Sequence, residues 1–150
     1  MRVQQALRKL GLTADIVEMP SSTRTAEEAA AACGCSVGQI VKSLIFRGKQ
    51  SGRPILLLVS GSNRVDLAKA AAAIGEEITR PDATYVRDVT GFAIGGIPPF
   101  GHDTPMFTGF DASLLNHKVV WAAAGTPNAV MALEPQTLVN VINARVLTFT

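Results

Sequence analysis

Charge is scarce in this 150-residue chain: Asp, Glu, Lys and Arg make up 17% of it, against 47% hydrophobic residues. That balance excludes a disordered chain, which stays unfolded by combining low hydrophobicity with high charge. Cysteine is nearly absent, and Cys33 and Cys35 stand one residue apart, poor spacing for a structural disulfide. Histidine is limited to His102 and His117, neither spaced like a partner in a zinc ligand set, so no metal is expected. The two cysteines read instead as small, partly buried filler at a helix end. Long apolar runs are missing as well: residues 68–74 are apolar apart from Lys69, but short and bounded by Gly75, which excludes a membrane span there. The opening Met1-Arg2-Val3-Gln4-Gln5 has no apolar run behind it and so does not read as a secretory signal. A soluble, cytoplasmic protein with no membrane partner is expected. No dense Lys/Arg cluster occurs, and the formal net charge is +2, compatible with a nucleic-acid partner without demanding one. The length suits one domain, residues 1–150, large enough to bury a core.

What is present is an alternation of helix and strand signals without linker, repeat or low-complexity tract. Val3, Ala6, Leu7 and Leu10 have helical spacing, with Gly11 as the stop. Residues 14–19 read as a strand. Thr25-Ala26-Glu27-Glu28 is a capping box opening an alanine-rich helix that Gly34 closes, and Ser36-Val37-Gly38-Gln39 is a second box before a strand over 40–46. Residues 54–60, with the unbroken apolar run Ile55-Leu56-Leu57-Leu58-Val59, read as a central strand. Helices are expected over 66–74, after Pro81-Asp82, and after Glu134-Pro135. Further strands are expected over 77–79, 92–94, 105–110, 119–124, 129–133 and 145–150, with Gly125-Thr126-Pro127-Asn128 as a turn. Strands in hairpin-like succession mixed with helix-separated ones predict a mixed α/β (α+β-like) fold, its sheet curled or barrel-like with helices outside.

Two segments are chemically unusual. In Ile40-Val41-Lys42-Ser43-Leu44-Ile45-Phe46 everything but Lys42 and Ser43 is β-branched or apolar. Alternation places Lys42 with Ile40, Leu44 and Phe46, on the face expected to be buried. An ammonium there must find a partner, reach water along its stem, or serve a site. The competing reading is an edge-strand lysine that discourages aggregation. The second segment is Gly95-Gly96-Ile97-Pro98-Pro99-Phe100-Gly101-His102. Its glycines permit close approach and its prolines stiffen it, so it can hold backbone N–H groups around a phosphate or an oxyanion, or simply connect two elements. No Gly-Lys-Ser/Thr follows it and its spacing is not a dinucleotide fingerprint. In Ser21-Ser22-Thr23-Arg24-Thr25, Thr25 reads as an N-cap and Arg24 as a cation able to meet an anion at that helix start. His102 could be a general base, but no nucleophile is placed beside it and no Gly-x-Ser-x-Gly elbow exists.

Taken together, Thr25-Ala26-Glu27-Glu28-Ala29-Ala30, Gln39-Ile40-Val41-Lys42-Ser43-Leu44, the segment from Gly95 to Gly101 and Gly125-Thr126-Pro127-Asn128 resemble, in order and spacing, the YbaK/ProX family. These are free-standing editing domains related to the insertion domain of bacterial prolyl-tRNA synthetase. The resemblance runs from about residue 13 to 146 and implies hydrolysis of mischarged aminoacyl-tRNA in trans, notably proline tRNA carrying alanine or cysteine, with no cofactor. It implies that Lys42 helps to hold the charged 3′ end of the tRNA and that Gly125 orients the ester or the attacking water. Gly96, Ile97, Pro98, Gly101 and His102 would shape the aminoacyl site, with Arg24, Thr25 and Asn128 binding substrate. Prolyl-tRNA synthetase is an implied partner. One departure is that Asn128-Ala129 follows Pro127 where several relatives carry histidine or another distinctive polar residue, which bears on amino-acid specificity. The rival reading is a tRNA- or nucleotide-binding module of the same fold that turns nothing over.

Overall fold

A computed structural model describes residues 2–20 and 22–150. Met1 and Ser21, named above in the opening segment and the polar stretch, lie outside the described residues. The elements run α1 (Arg2–Leu10), β1 (Ile16–Glu18), α2 (Ala26–Cys33), a 3-10 turn (Val37–Gln39), β2 (Ile40–Gly48), β3 (Pro54–Ser60), α3 (Leu67–Ile74), β4 (Ile78–Thr79) and α4 (Ala83–Thr90). They continue with β5 (Phe107–Asp111), a second 3-10 turn (Ala112–Asn116), β6 (Val120–Ala123), β7 (Ala129–Leu133), α5 (Pro135–Ile142) and β8 (Arg145–Leu147).

Among the described residues all eight strands join one sheet in the order β1-β7-β6-β2-β3-β5-β8, with β4 attached to β2 off that path. The pairs β2–β6, β3–β5 and β5–β8 are parallel and the others antiparallel, so the sheet is mixed. It does not close: β1 and β8 remain the two ends, and the barrel-like alternative is not adopted.

The apolar run Ile55–Val59 is central because β2 and β5 flank β3 on either side. Alternation divides its side chains between two cores. Leu56 and Leu58 join Val41, Ile45, Val3, Leu7, Val86 and Leu138 on the face covered by α1, α4 and α5. Ile55, Leu57 and Val59 join Phe46 and Ala70 on the face covered by α3. Burying each such side chain contributes about 1.5–3 kcal/mol, which makes this strand the anchor of both layers.

Local chemistry sets the helix ends. Thr25 Oγ1 accepts from Glu28 N–H at 3.1 Å while Thr25 N–H donates to Glu28 Oε1 at 3.3 Å, the reciprocal pair that starts α2. The second box is also formed, with Ser36 N–H on Gln39 Oε1 at 3.1 Å, but it opens only a short 3-10 turn. The expected strand over 92–94 is instead a turn. Thr90 Oγ1 accepts from Phe92 N–H at 3.0 Å, so the backbone is capped locally and Phe92 drops into the core without a strand partner. The last strand ends at Leu147, earlier than expected.

Candidate functional site

β2 is paired on both sides at its start, to β3 and to β6, and so runs inside the sheet. Lys42 is therefore no edge lysine. Its face is not simply buried either, for Lys42 and Leu44 are only partly covered where Ile40 and Phe46 are buried. The Lys42 ammonium donates to Asn63 O at 2.6 Å. Asn63 is held in turn, its Nδ2 donating to Asp111 Oδ2 at 3.0 Å and to Ser113 Oγ at 2.9 Å. Asp111 is 4% exposed and also accepts from Ser60 N–H at 3.1 Å and from Ser113 N–H at 2.9 Å.

Burial alone would raise the Asp111 carboxyl, but the donors from Asn63, Ser113 and Ser60 outweigh it and hold the group below its ordinary value. Lys42 is shifted down, first by burial; Glu27 and Asp111 pull the other way, and Arg64 and Arg80 add to the depression. Burial thus dominates around a lysine whose head is fixed by a backbone oxygen.

Lys42 lines a cavity of about 230 Å³ whose walls include Arg24, Thr25, Ser43, Ile97 and Trp121. α2 presents Thr25, Ala26 and Ala29 to it, β6 presents Trp121 to Ala123, and the loop over 94–97 forms the opposite side. Trp121 packs on the alanine face of α2 and on Ile40, its register partner in β2.

Of the residues singled out in the sequence, Arg24, Thr25, Lys42 and Ile97 meet at this cavity. Gly96 and Gly125 lie behind its wall, where two loops knit together. Gly125 N–H donates to Gly96 O at 2.9 Å, and a Cβ on Gly96 would meet the Thr126 backbone at 2.8 Å. Only glycine admits that approach, and Gly125 itself has φ 101°, a conformation L side chains rarely adopt. Thr23 ties the same loop to the start of α2: its N–H and its Oγ1 both donate to Pro127 O, at 2.8 and 2.6 Å. Asn128 is engaged with the end of β1, its main-chain oxygen accepting from Met19 N–H at 2.8 Å.

The remaining residues point elsewhere. His102 Nε2 donates to Pro98 O at 2.7 Å, closing the proline loop on itself, and burial lowers the imidazole below its usual value. Gly101 and His102 border a separate cavity of about 340 Å³ against α1 and α5, with Lys9, Leu10 and Ile142. Cys33 and Cys35 are free, half-buried thiols; burial, reinforced by Cys35, pushes Cys33 up to about 11. Among the described residues no helix is long and apolar enough to cross a membrane.

Asn63, Asp111, Ser113 and Trp121 escaped the sequence reading. Asp111-Ala112-Ser113 carried a local signal, since aspartate followed two residues on by serine suits a side-chain cap on a turn. Nothing local joined it to Asn63, which lies 48 residues upstream.

A model of the aminoacyl-tRNA editing domain matches residues 20–141. The uncharacterized protein YwhH of Bacillus subtilis (strain 168) is 34% identical over 126 residues, covering 83% of this chain and 78% of that protein. A proline–tRNA ligase of Limosilactobacillus fermentum is 27% identical over 99 residues, covering 63% of this chain but only 17% of the ligase. A solved structure described as a candidate trans-editing enzyme for prolyl tRNA synthetase superposes with TM-score 0.92 at 48% identity, over 99% of this chain and 94% of that one. The hypothetical protein APE2540 superposes with TM-score 0.93 at 30% identity, over 99% of both chains.

Proposed function

This chain belongs to the aminoacyl-tRNA editing domain family, and we propose that it is a cytoplasmic deacylase acting in trans on proline tRNA charged with a wrong small amino acid such as alanine or cysteine. The observation that carries the reading is the Lys42 ammonium, anchored on Asn63 O at 2.6 Å and lining a cavity of about 230 Å³. A cationic head at a confined site suits the phosphate and carbonyl oxygens of a charged 3′ end, and the cavity volume suits a small acyl group.

An aminoacyl ester is already activated, so the reaction needs little beyond a placed water and a stabilised oxyanion. Water adds to the ester carbonyl carbon, and the bond from that carbon to the ribose oxygen breaks. The ribose oxygen takes a proton and the amino acid leaves as a free carboxylate. One well-aimed donor contributes about 3–4 kcal/mol to such a step. No cofactor enters this scheme.

In this reading Lys42 holds the 3′ end, Arg24 and Thr25 receive it at the start of α2, and Ile97 is the acyl-facing wall. Gly96, Pro98 and Gly125 set the position of that wall from behind. Two supports come from relatives: the matched ligase acts with proline tRNA by its name, and the solved structure at 48% identity is described as serving prolyl tRNA synthetase. With a net charge of only +2, tRNA selection would be shared with such a synthetase as partner.

The test is a deacylation time course on proline tRNA carrying alanine, cysteine, serine or proline. Wild type should hydrolyse at least one wrong ester and spare proline, and Lys42→Ala should lose about 100-fold in rate, the scale of one lost oxyanion-type donor. Absence of turnover on all four, with tRNA still bound, would replace the deacylase by a binding module.

A further inference from the structure

β2 is complete toward β3 and interrupted on its other side. Ile40 O accepts from Gly61 N–H at 2.7 Å and Gly48 N–H donates to Arg53 O at 2.9 Å, so the even-numbered residues of β2 turn their backbone groups toward β3. The odd-numbered residues turn theirs away. Val41 meets β6 and Arg47 meets β4 in register, but Ser43 and Ile45 fall between the two partners. No hydrogen bond among the described residues reaches the N–H or C=O of either. Over this gap lies the loop carrying Ile94 and Ile97, leaving the Lys42 cavity and an adjoining one of about 180 Å³; both are bordered by Ser43, Leu44, Ile94 and Ile97.

Ser43 is also anomalous through its side chain. Alternation puts it on the face of Val41 and Ile45, both core residues. Its Oγ is buried and is the one such side-chain N or O atom without a hydrogen-bond partner among the described residues. A hydroxyl kept unpaired among aliphatics opposes folding, so its presence calls for an occupant that pairs with it.

We propose that the open stretch of β2 is the seat of the aminoacyl group, bound as a one-residue strand on Ser43. An α-amino acid ester carries an ammonium and a carbonyl at the spacing one residue presents to a sheet edge. The ammonium donates to the Ser43 main-chain oxygen and, with a second proton, to Ser43 Oγ; the ester carbonyl accepts from Ser43 N–H. The side chain enters the adjoining apolar chamber between Ile45, Val86 and Ile97. The inference rests on the deacylase reading for its ligand and narrows it to esters with a free α-amino group; α-hydroxy acyl esters of the same shape are excluded.

The probes are 3′-alanylamido-3′-deoxyadenosine, which cannot be hydrolysed at the ester position, and its lactyl counterpart, in which hydroxyl replaces ammonium. Binding is followed by the fluorescence of Trp121, the chain's single tryptophan, which lines the same cavity. Wild type should bind the alanyl form about tenfold more tightly than the lactyl form, as expected for charged hydrogen bonds. In Ser43→Ala that preference should shrink to about threefold or less, with no fall in thermal midpoint, since an unpaired buried hydroxyl has been removed. Equal affinities in wild type, no saturable binding of the alanyl form, or an undiminished preference in Ser43→Ala overturns the proposal. Hydrolysis of mischarged tRNA with equal affinities would leave the deacylase standing and remove the strand-edge seat. A preference for the alanyl form without hydrolysis would do the reverse.

Discussion

Asn63 works in two directions, its main-chain oxygen taking the Lys42 ammonium while its side-chain amide grips Asp111 and Ser113. The position of the lysine head therefore depends on a carboxylate it does not touch. Asp111→Asn should cost about 1–3 kcal/mol at neutral pH, because donors built for a carboxylate are left imperfectly paired; chemical denaturation measures this. The pH dependence follows from the shift. With the Asp111 carboxyl held below its ordinary value, its stabilisation is fully present above the unfolded value of 3.8 and is lost as pH falls through the folded one. Wild type should lose stability steeply in that acid window, and Asp111→Asn should flatten the profile there. Lys42 has the opposite consequence. Its folded value lies below the ordinary 10.5, so between the two the unfolded chain binds more protons and stability rises with pH. Over the same interval the ammonium is lost, and binding of the lactyl adenosine, which has no ammonium of its own to lose, should weaken at a pH below 10.5. Lys42→Arg should abolish that alkaline limb, because guanidinium keeps its charge.

α2 links helix capping to the cavity, since Thr25 both caps the helix and lines the site. Thr25→Ala should destabilise by about 1 kcal/mol and weaken ligand binding together, whereas Thr25→Ser should restore the cap and most of both; parallel denaturation and binding titrations separate the cases. The box at Thr25, the helical spacing of Val3 and Leu7 and the run Ile55–Val59 were legible because each signal is local. Phe92-Ala93-Ile94 misled for the same reason: its apolar residues look like a strand, and only the Thr90 side chain decides that it is a turn. Lys42 could be recognised as out of place, but not as central, because its position depends on β6, some eighty residues downstream. The break opposite Ser43 was invisible in the sequence, being set by where β6 and β4 stop. In the proline loop, Ile97 reaches the cavity while Gly101 and His102 turn to the other side of the molecule; a run of glycine and proline fixes stiffness but not direction.

At the scale of the whole molecule, a net charge of +2 leaves electrostatic attraction to RNA to a few cations near one cavity. Arg24 lines it, Arg80 borders the adjoining chamber, and Arg64 lies near enough to act on Lys42. With about three phosphate contacts to a single-stranded end, log affinity for tRNA should fall against log salt with a slope near about −2; a much steeper slope would require a larger basic surface. The interrupted β2 has one more consequence, in the exchange of main-chain amides with heavy water. Val41 and Arg47 are tied to neighbouring strands, while Ser43 and Ile45 between them are not. A strand at the heart of the sheet should thus carry two rapidly labelled amides flanked by slowly labelled ones. That alternation would let deuterium uptake at Ser43 register occupancy of the site, with Ile45 as the unprotected reference, independent of any turnover.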